Sequence, residues 1–209
     1  MRSLKKLVEV YEKNFSQYGD NNKGVGWKSK KAANKRYQVV STEIKKDKNK
    51  KSILDFGCGL SHFLKFIKRS NIGKFKYIGL DMSEKMIEAS IKKYPKEKYI
   101  MTDPLKNPRK VPKADYIVIL GLFTQKLNYS EKEMFSFLKR ILTLTYNKTK
   151  VALIFNVMSP YVEWKNKFNF YLDFEKLLNF ICKKLSKNFT IKHNYGLYEY
   201  TIFIYKKNK

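Results

Sequence analysis

The chain has 209 residues, with 45 Lys and Arg against 18 Asp and Glu, for a net charge of +27. Its 43% hydrophobic and 15% aromatic content supplies a sizeable core and excludes a disordered polyelectrolyte. The charge alone does not make a nucleic-acid binder. Only Arg2, Arg36, Arg69, Arg109 and Arg140 are arginines, the cation suited to bidentate phosphate and guanine contacts. Abundant Lys, Asn, Ile, Tyr and Phe together fit the coding bias of an AT-rich genome.

Two cysteines, Cys58 and Cys182, provide neither a disulfide framework nor zinc-ligand spacing, so a reducing, cytoplasmic location is expected. The apolar run near the N-terminus is too short and too interrupted for a signal peptide. Residues 116–123, the longest uncharged apolar stretch, fall well short of the ~20 residues of a spanning helix, and no membrane anchor is expected. Lysine-rich patches at 45–51 and 106–113 read as solvated connections.

In chain order, Leu4, Leu7, Val8 and Tyr11 share one helical face, followed by a glycine-bearing break at 19–26 and a second helix over 29–46. Residues 52–56 then form an apolar strand ending in Gly57-Cys58-Gly59, and a helix begins near His62. A second strand over 77–80 ends at Asp81, and the helix over 83–93 has Ser83 as N-cap and Glu84 in its first turn. Residues 99–101 give a third strand. Residues 116–120, wholly apolar, give a fourth of the kind covered on both faces. Ser130 and Glu133 stand in capping-box register at the start of a helix over 130–144. A fifth strand over 151–155, a helix over 174–185 and a hairpin of 189–193 with 200–205 complete the chain. This alternation predicts an α/β doubly wound domain with an antiparallel edge. Residues 1–48 are expected as an N-terminal helical cap, and 49–209 as the ligand-binding domain, in one compact unit.

In such a sheet, ligands sit at the carboxyl ends of the strands. Gly57 and Gly59 let the backbone approach a ligand there, and the helix that follows presents free N–H groups. Asp81 closes the next strand, and a carboxylate at that spacing accepts the ribose hydroxyls of an adenosine. A dinucleotide dehydrogenase is disfavoured, because His62 stands where that fingerprint wants its third glycine.

The segments Ile53-Leu54-Asp55-Phe56-Gly57-Cys58-Gly59-Leu60 and Tyr77-Ile78-Gly79-Leu80-Asp81-Met82-Ser83 resemble the class I S-adenosylmethionine (SAM)-dependent methyltransferases, over about residues 50–156. The family usually has a glycine where this chain has Ser61. The resemblance implies a Rossmann-like, mostly parallel seven-stranded sheet in which the terminal hairpin supplies the family's reversed strand. It implies SAM as cofactor, with S-adenosylhomocysteine as product. Asp55 and Gly57, with Cys58 and Gly59 in the same turn, would shape the methionine pocket. Asp81 would hold the ribose and Met82 pack on the adenine. Thr102-Asp103 resembles the acidic position at the adenine amine. Leu120 and Gly121 resemble the fourth-strand backbone lining the sulfonium, with Phe123 facing the cofactor or substrate. Residues 18–37 resemble the N-terminal lid of a small-molecule branch, in which Arg36 would pair with the SAM carboxylate while Tyr18 and Trp27 close over the cofactor.

Methyl transfer to a hydroxyl or amine can need a base. Candidates are His62, His193, Tyr129, Glu163 and Asp173, and Asn156, Ser159 and Trp164 could orient a polar acceptor. The Asn/Asp-Pro-Pro-aromatic turn usual in enzymes that methylate adenine or cytosine amines is replaced here by Leu120-Gly121-Leu122-Phe123. Neither cysteine is placed for attack on a base. The expected activity is O- or N-methylation of a small polar metabolite, saccharides among the candidates. An RNA or DNA methyltransferase using the lysine surface is the alternative, and a catalytically silent SAM-fold protein the third reading. The sequence leaves the oligomeric state open.

Overall fold

The computed structural model describes residues 5–45 and 47–206; Leu4 and Lys46, expected in the first two helices, lie outside the described residues. Chain contacts group into two compact units, one running up to Val111 and the other starting at Pro112.

In the first unit, α1 (Lys5–Tyr18) and α2 (Lys30–Lys45) precede the sheet. Helix α2 starts where Ser29 Oγ accepts the Ala32 N–H at 3.1 Å, and it buries Ala33, Tyr37, Val40 and Ile44. β1 (Lys51–Phe56), α3 (His62–Arg69), β2 (Phe75–Asp81), α4 (Glu84–Lys93) and β3 (Lys98–Met101) follow. The strands pair in parallel, with Asp55 beside Gly79, Phe56 beside Leu80 and Asp81 beside Met101. That register sets the turn after β1 level with Asp81. Ser83 caps α4 by accepting the Met86 N–H at 3.2 Å.

Lys51 corrects the solvated reading of 45–51. It is buried, and its Nζ donates to the carbonyls of Ile44 (3.2 Å), Ile72 (3.4 Å) and Asp47. A buried ammonium needs such acceptors, and these tie the end of α2 to the start of the sheet.

The second unit contains β4 (Ala114–Phe123), then α5 (Glu131–Lys148), β5 (Thr149–Met158), α6 (Phe174–Lys184), β6 (Phe189–Lys192) and β7 (Glu199–Tyr205). The capping box at Ser130 and Glu133 is complete. Helix α5 buries Met134, Phe137, Leu138, Ile141 and Leu142, side chains worth about 1.5–3 kcal/mol each when fully buried. β4 and β5 are parallel, and both extend beyond the apolar runs that announce them.

β7 pairs antiparallel with both β5 and β6. The expected antiparallel edge is therefore the β6–β7 hairpin, with the reversed strand β7 on its inner side and β6 outermost. The cause is hydrophobicity: Ile202, Phe203 and Ile204 are fully buried, whereas β6 is only half-buried. The seven strands run in the order β3-β2-β1-β4-β5-β7-β6, a mostly parallel α/β sheet. No helix among the described residues is long and apolar enough to cross a membrane.

Candidate cofactor site and acceptor-side residues

The turn after β1 is built from left-handed backbone. Gly57 has φ +80°, and a Cβ placed on it would meet nothing within 4 Å, so the backbone is open to a ligand on that side. The Gly57 and Cys58 N–H groups donate to Leu80 O at 2.7 and 3.1 Å, anchoring the turn to β2. Ser61 also takes a left-handed conformation, φ 58° and ψ 34°, which explains why glycine suits this position. Its hydroxyl shares a hydrogen bond with Tyr99 Oη at 3.1 Å.

Asp81 joins this turn to the end of β2. Its Oδ2 accepts the Gly59 N–H at 2.8 Å, and its Oδ1 accepts the N–H groups of Met82 and Ser83 at 2.7 and 2.9 Å. A carboxylate offers about four lone-pair sites, so about one remains for a ribose hydroxyl while all three bonds persist. Burial pushes the Asp81 carboxyl up against the pull of these three N–H groups, and the charge of Glu12 adds to the rise. Glu12 itself accepts the Ser83 hydroxyl at 2.7 Å.

Asp55 lies deeper. It accepts the Tyr77 hydroxyl at 2.7 Å, and burial, opposed by that bond and reinforced by Asp81, pushes its pKa up to about 7. The Cys58 thiol is buried and held well above its ordinary pKa by desolvation and by the charges of Asp81 and Asp55, which leaves it a packing group and a poor nucleophile.

Thr102 and Asp103 follow β3 and do different things. Thr102 donates its N–H to Asp81 O at 3.0 Å, and its hydroxyl is buried without a hydrogen-bond partner among the described residues. Asp103 Oδ1 accepts from the Leu105 and Lys106 N–H groups at 3.0 and 3.3 Å, so this carboxylate shapes the next turn.

Residues 19–27 lead back toward the glycine turn. Gly24 passes so close to Gly19 O that a Cβ there would lie 2.0 Å from it. The Trp27 N–H and C=O are both bonded to Asn22, through its carbonyl and its side-chain amide, at 2.7 and 3.0 Å. The Arg36 guanidinium stacks over the Trp27 ring at 4.1 Å and is 9% exposed. Tyr18 is exposed at the end of α1. His62 Nε2 bonds Asp20 Oδ1 at 2.7 Å, and Lys93 Nζ bonds Asp20 Oδ2 at 2.8 Å and Leu60 O at 2.6 Å. This trio fastens the 19–27 segment to α3 and α4. Desolvation depresses the His62 pKa against the pull of Asp20, whose own carboxyl is held low by Lys93 and His62 despite its partial burial.

In the second unit, Leu120 and Gly121 lie within β4. Asn156 is fully buried: its Oδ1 accepts the Gly121 N–H at 2.8 Å and its Nδ2 donates to Glu199. Both ends of the amide are used inside the fold, which corrects its reading as an acceptor ligand. Phe123 is corrected in the same way. It is fully buried, edge-on to Phe137 and Phe155 at 5.9 and 6.1 Å, because the strand continues through it into the core. Ser159 is buried and accepts the Tyr161 N–H at 3.2 Å. Tyr129 is half-buried and donates its N–H to Lys126 O at 2.8 Å. His193 is exposed, its ring 6.0 Å from that of Tyr200. Asp173 caps α6 by accepting the Lys176 N–H at 2.8 Å. Trp164 is 67% exposed.

Glu12, Asp20, Tyr77 and Lys93 were not legible as site-building residues. Each acts across a sequence separation of 22 to 73 residues, and no local spacing signals such a contact.

The open side of Gly57 and the unpartnered Thr102 hydroxyl, both beside Asp81, fit an adenosine-bearing cofactor. Residues 53–145 match the family model described as a methyltransferase domain. The chain is 27% identical over 157 residues to Rv1506c of Mycobacterium tuberculosis, whose methyltransferase designation is provisional; the match covers 74% of this chain and 93% of that protein. Among solved structures, magnesium protoporphyrin IX methyltransferase from Synechocystis PCC 6803 with bound SAM aligns with a TM-score of 0.66 at 14% identity, over 99% of each chain. Human N-acetylserotonin methyltransferase in complex with SAM aligns with a TM-score of 0.63 at 11% identity, over 99% of this chain and 57% of that one. The domain match, the ordered motifs and the sheet agree: residues 53–145 carry a methyltransferase domain, set in a mostly parallel α/β sheet.

Proposed function

We propose that this methyltransferase acts on an oxygen or nitrogen atom of a small polar metabolite, with saccharides among the acceptors. The observation that supports the cofactor half of this reading is the single hydrogen-bonded unit formed by the glycine turn and Asp81. In this reading Asp81 takes a ribose hydroxyl, Met82 packs on the adenine, and the buried Thr102 hydroxyl faces the base. Asp55, Gly57, Cys58 and Gly59 shape the methionine end. Arg36, held over the Trp27 ring, takes the carboxylate of the cofactor, and Tyr18 closes the lid.

SAM supplies an electrophilic methyl group on a sulfonium. The protein's contribution is alignment and exclusion of water, both effective in an in-line displacement. His62 serves in the lid fastening to Asp20 and Lys93, which leaves His193 and Tyr129 as candidates for the acceptor's proton. The small-molecule reading is supported by the chemistry at the end of β4, where the strand runs on through Leu120-Gly121-Leu122-Phe123. The suppressed Cys58 thiolate agrees with it.

The test is methyl transfer from tritiated SAM into cell extract separated into nucleic-acid and small-molecule fractions. Label in the small-molecule fraction is the expected result. Label confined to the nucleic-acid fraction would overturn the acceptor assignment.

A further inference from the structure

The ribose of SAM presents two adjacent hydroxyls, and each needs an acceptor once it leaves water. Asp81 already takes the N–H groups of Gly59, Met82 and Ser83, which leaves about one lone-pair site for a ligand. On Asp81 alone the site is one acceptor short. A second carboxylate stands beside it. Ser83 donates its N–H to Asp81 Oδ1 at 2.9 Å and its hydroxyl to Glu12 Oε1 at 2.7 Å, so a single residue holds the two carboxylates as neighbours. The charge of Glu12 reaches Asp81 and contributes to the rise of its carboxyl.

Glu12 has the accepting capacity that Asp81 lacks. Its nearest ion-pair partner among the described residues, Lys85, stands 3.9 Å from Oε2, beyond hydrogen-bond length, on a side chain 59% exposed to solvent. The helix that carries Glu12 is seated firmly. A Cβ on Gly26 would lie 3.0 Å from the ring of Tyr11, the neighbour of Glu12 on α1, and one on Gly59 would lie 3.5 Å from Val25 Cγ1. Helix α1 and the 19–27 segment therefore stand over the same turn that Asp81 anchors. Two carboxylates so placed repel an anion and favour a neutral group with two donors. Among the described residues, no group of three or more His, Cys, Asp or Glu offers a metal ion a site. A vicinal diol meets the demand. We propose that Glu12 is a second cofactor-binding carboxylate, which accepts one ribose hydroxyl of SAM while Asp81 accepts the other.

This assignment rests on the cofactor reading above and goes beyond it by adding a ligand from α1, outside the β1 and β2 motifs. The test is calorimetric titration of S-adenosylhomocysteine and its 2′-deoxy and 3′-deoxy analogues into the wild type, Glu12→Ala, Glu12→Gln and Asp81→Ala. Glu12→Ala should weaken S-adenosylhomocysteine about 10-fold, the scale of one hydrogen bond to a charged group, and Glu12→Gln, which keeps an acceptor, should weaken it less. One deoxy analogue should bind the wild type about 10-fold more weakly than the parent compound and lose nothing further in Glu12→Ala. The other lacks the hydroxyl assigned to Asp81, and Glu12→Ala should weaken it by the same factor as the parent. If Glu12→Ala melts too low to titrate, Glu12→Gln should give the same pattern across the three ligands at smaller amplitude. A role confined to fastening α1 would weaken all three ligands equally; that result, or unchanged affinity in the Glu12 variants, would overturn the proposal. Weakened binding in Asp81→Ala with none in Glu12→Ala would sink the Glu12 assignment and spare the cofactor reading. Unchanged affinity in both would sink the cofactor reading with it.

Discussion

The glycine turn with Asp81 and the segment from Asn156 to Tyr171 solve opposite problems. The first presents backbone: three N–H groups are locked on one carboxylate, a left-handed glycine leaves an open side, and Cys58 and Asp55 are sealed beneath. The second hides its conventional polar ligands, Asn156 and Ser159, inside the fold, and presents aromatic rings and lysines to solvent. A cofactor shared by a whole family is met by main-chain geometry, which tolerates little change. The second surface is made of side chains, which can be exchanged without rebuilding the frame beneath them.

The contrast predicts where substitution is catastrophic for binding and where it is neutral for folding. The largest effect belongs to Gly57→Val. A β-branched residue is strained at φ +80° and fills the open side, so SAM affinity should fall by roughly 100-fold, or about 3 kcal/mol, in calorimetry. Retained affinity would show that the open side is not the cofactor's. Asn156→Ala should cost about 2–4 kcal/mol of stability in denaturant melts, because it removes the acceptor of the buried Gly121 N–H and the donor to Glu199. A small effect would return Asn156 to the list of acceptor ligands.

Asp55 sharpens the comparison through pH. Its folded pKa, near 7, exceeds the ordinary value of 3.8, so the fold favours the neutral acid. The stability this gives is complete below the unfolded value and lost as pH rises through the folded one. Asp55→Asn cannot ionise and still accepts from Tyr77. Its melting temperature should therefore gain on the wild type as pH rises from about 4 to about 8, by a few degrees. A gap independent of pH would mean that Asp55 is charged in the fold throughout. The smallest effect is expected for Trp164→Ala, whose stability should stay within about 0.5 kcal/mol of the parent because the ring is 67% exposed.

Much of the cofactor half was legible from residues 53–59 and 77–83, because a strand, a glycine turn and an acidic strand end are local patterns with fixed spacing. The capping residues Ser83 and Ser130 were legible for the same reason. The fate of Phe123 and Asn156 was not. Each sits at the end of an apolar run, where the sequence does not say whether the strand stops or continues, and the structure carries β4 and β5 further. Lys51 misled in the opposite direction: a lysine in a charged patch looks solvated until the carbonyls of Ile44 and Asp47, and of Ile72 from 21 residues away, converge on it. The inward position of β7 depended on comparing the apolarity of two hairpin strands rather than on finding them.

The central claim is that the β1 turn and Asp81 together form the SAM cradle. Its most direct test is calorimetric titration of S-adenosylhomocysteine into the wild type and Asp81→Ala, with Asp81→Asn as the variant that retains an acceptor for the Gly59 N–H. The account predicts saturable binding to the wild type, weakened roughly 100-fold in Asp81→Ala and less in Asp81→Asn, in line with the loss of charge-assisted hydrogen bonds. Equal affinity in all three folded proteins would contradict it.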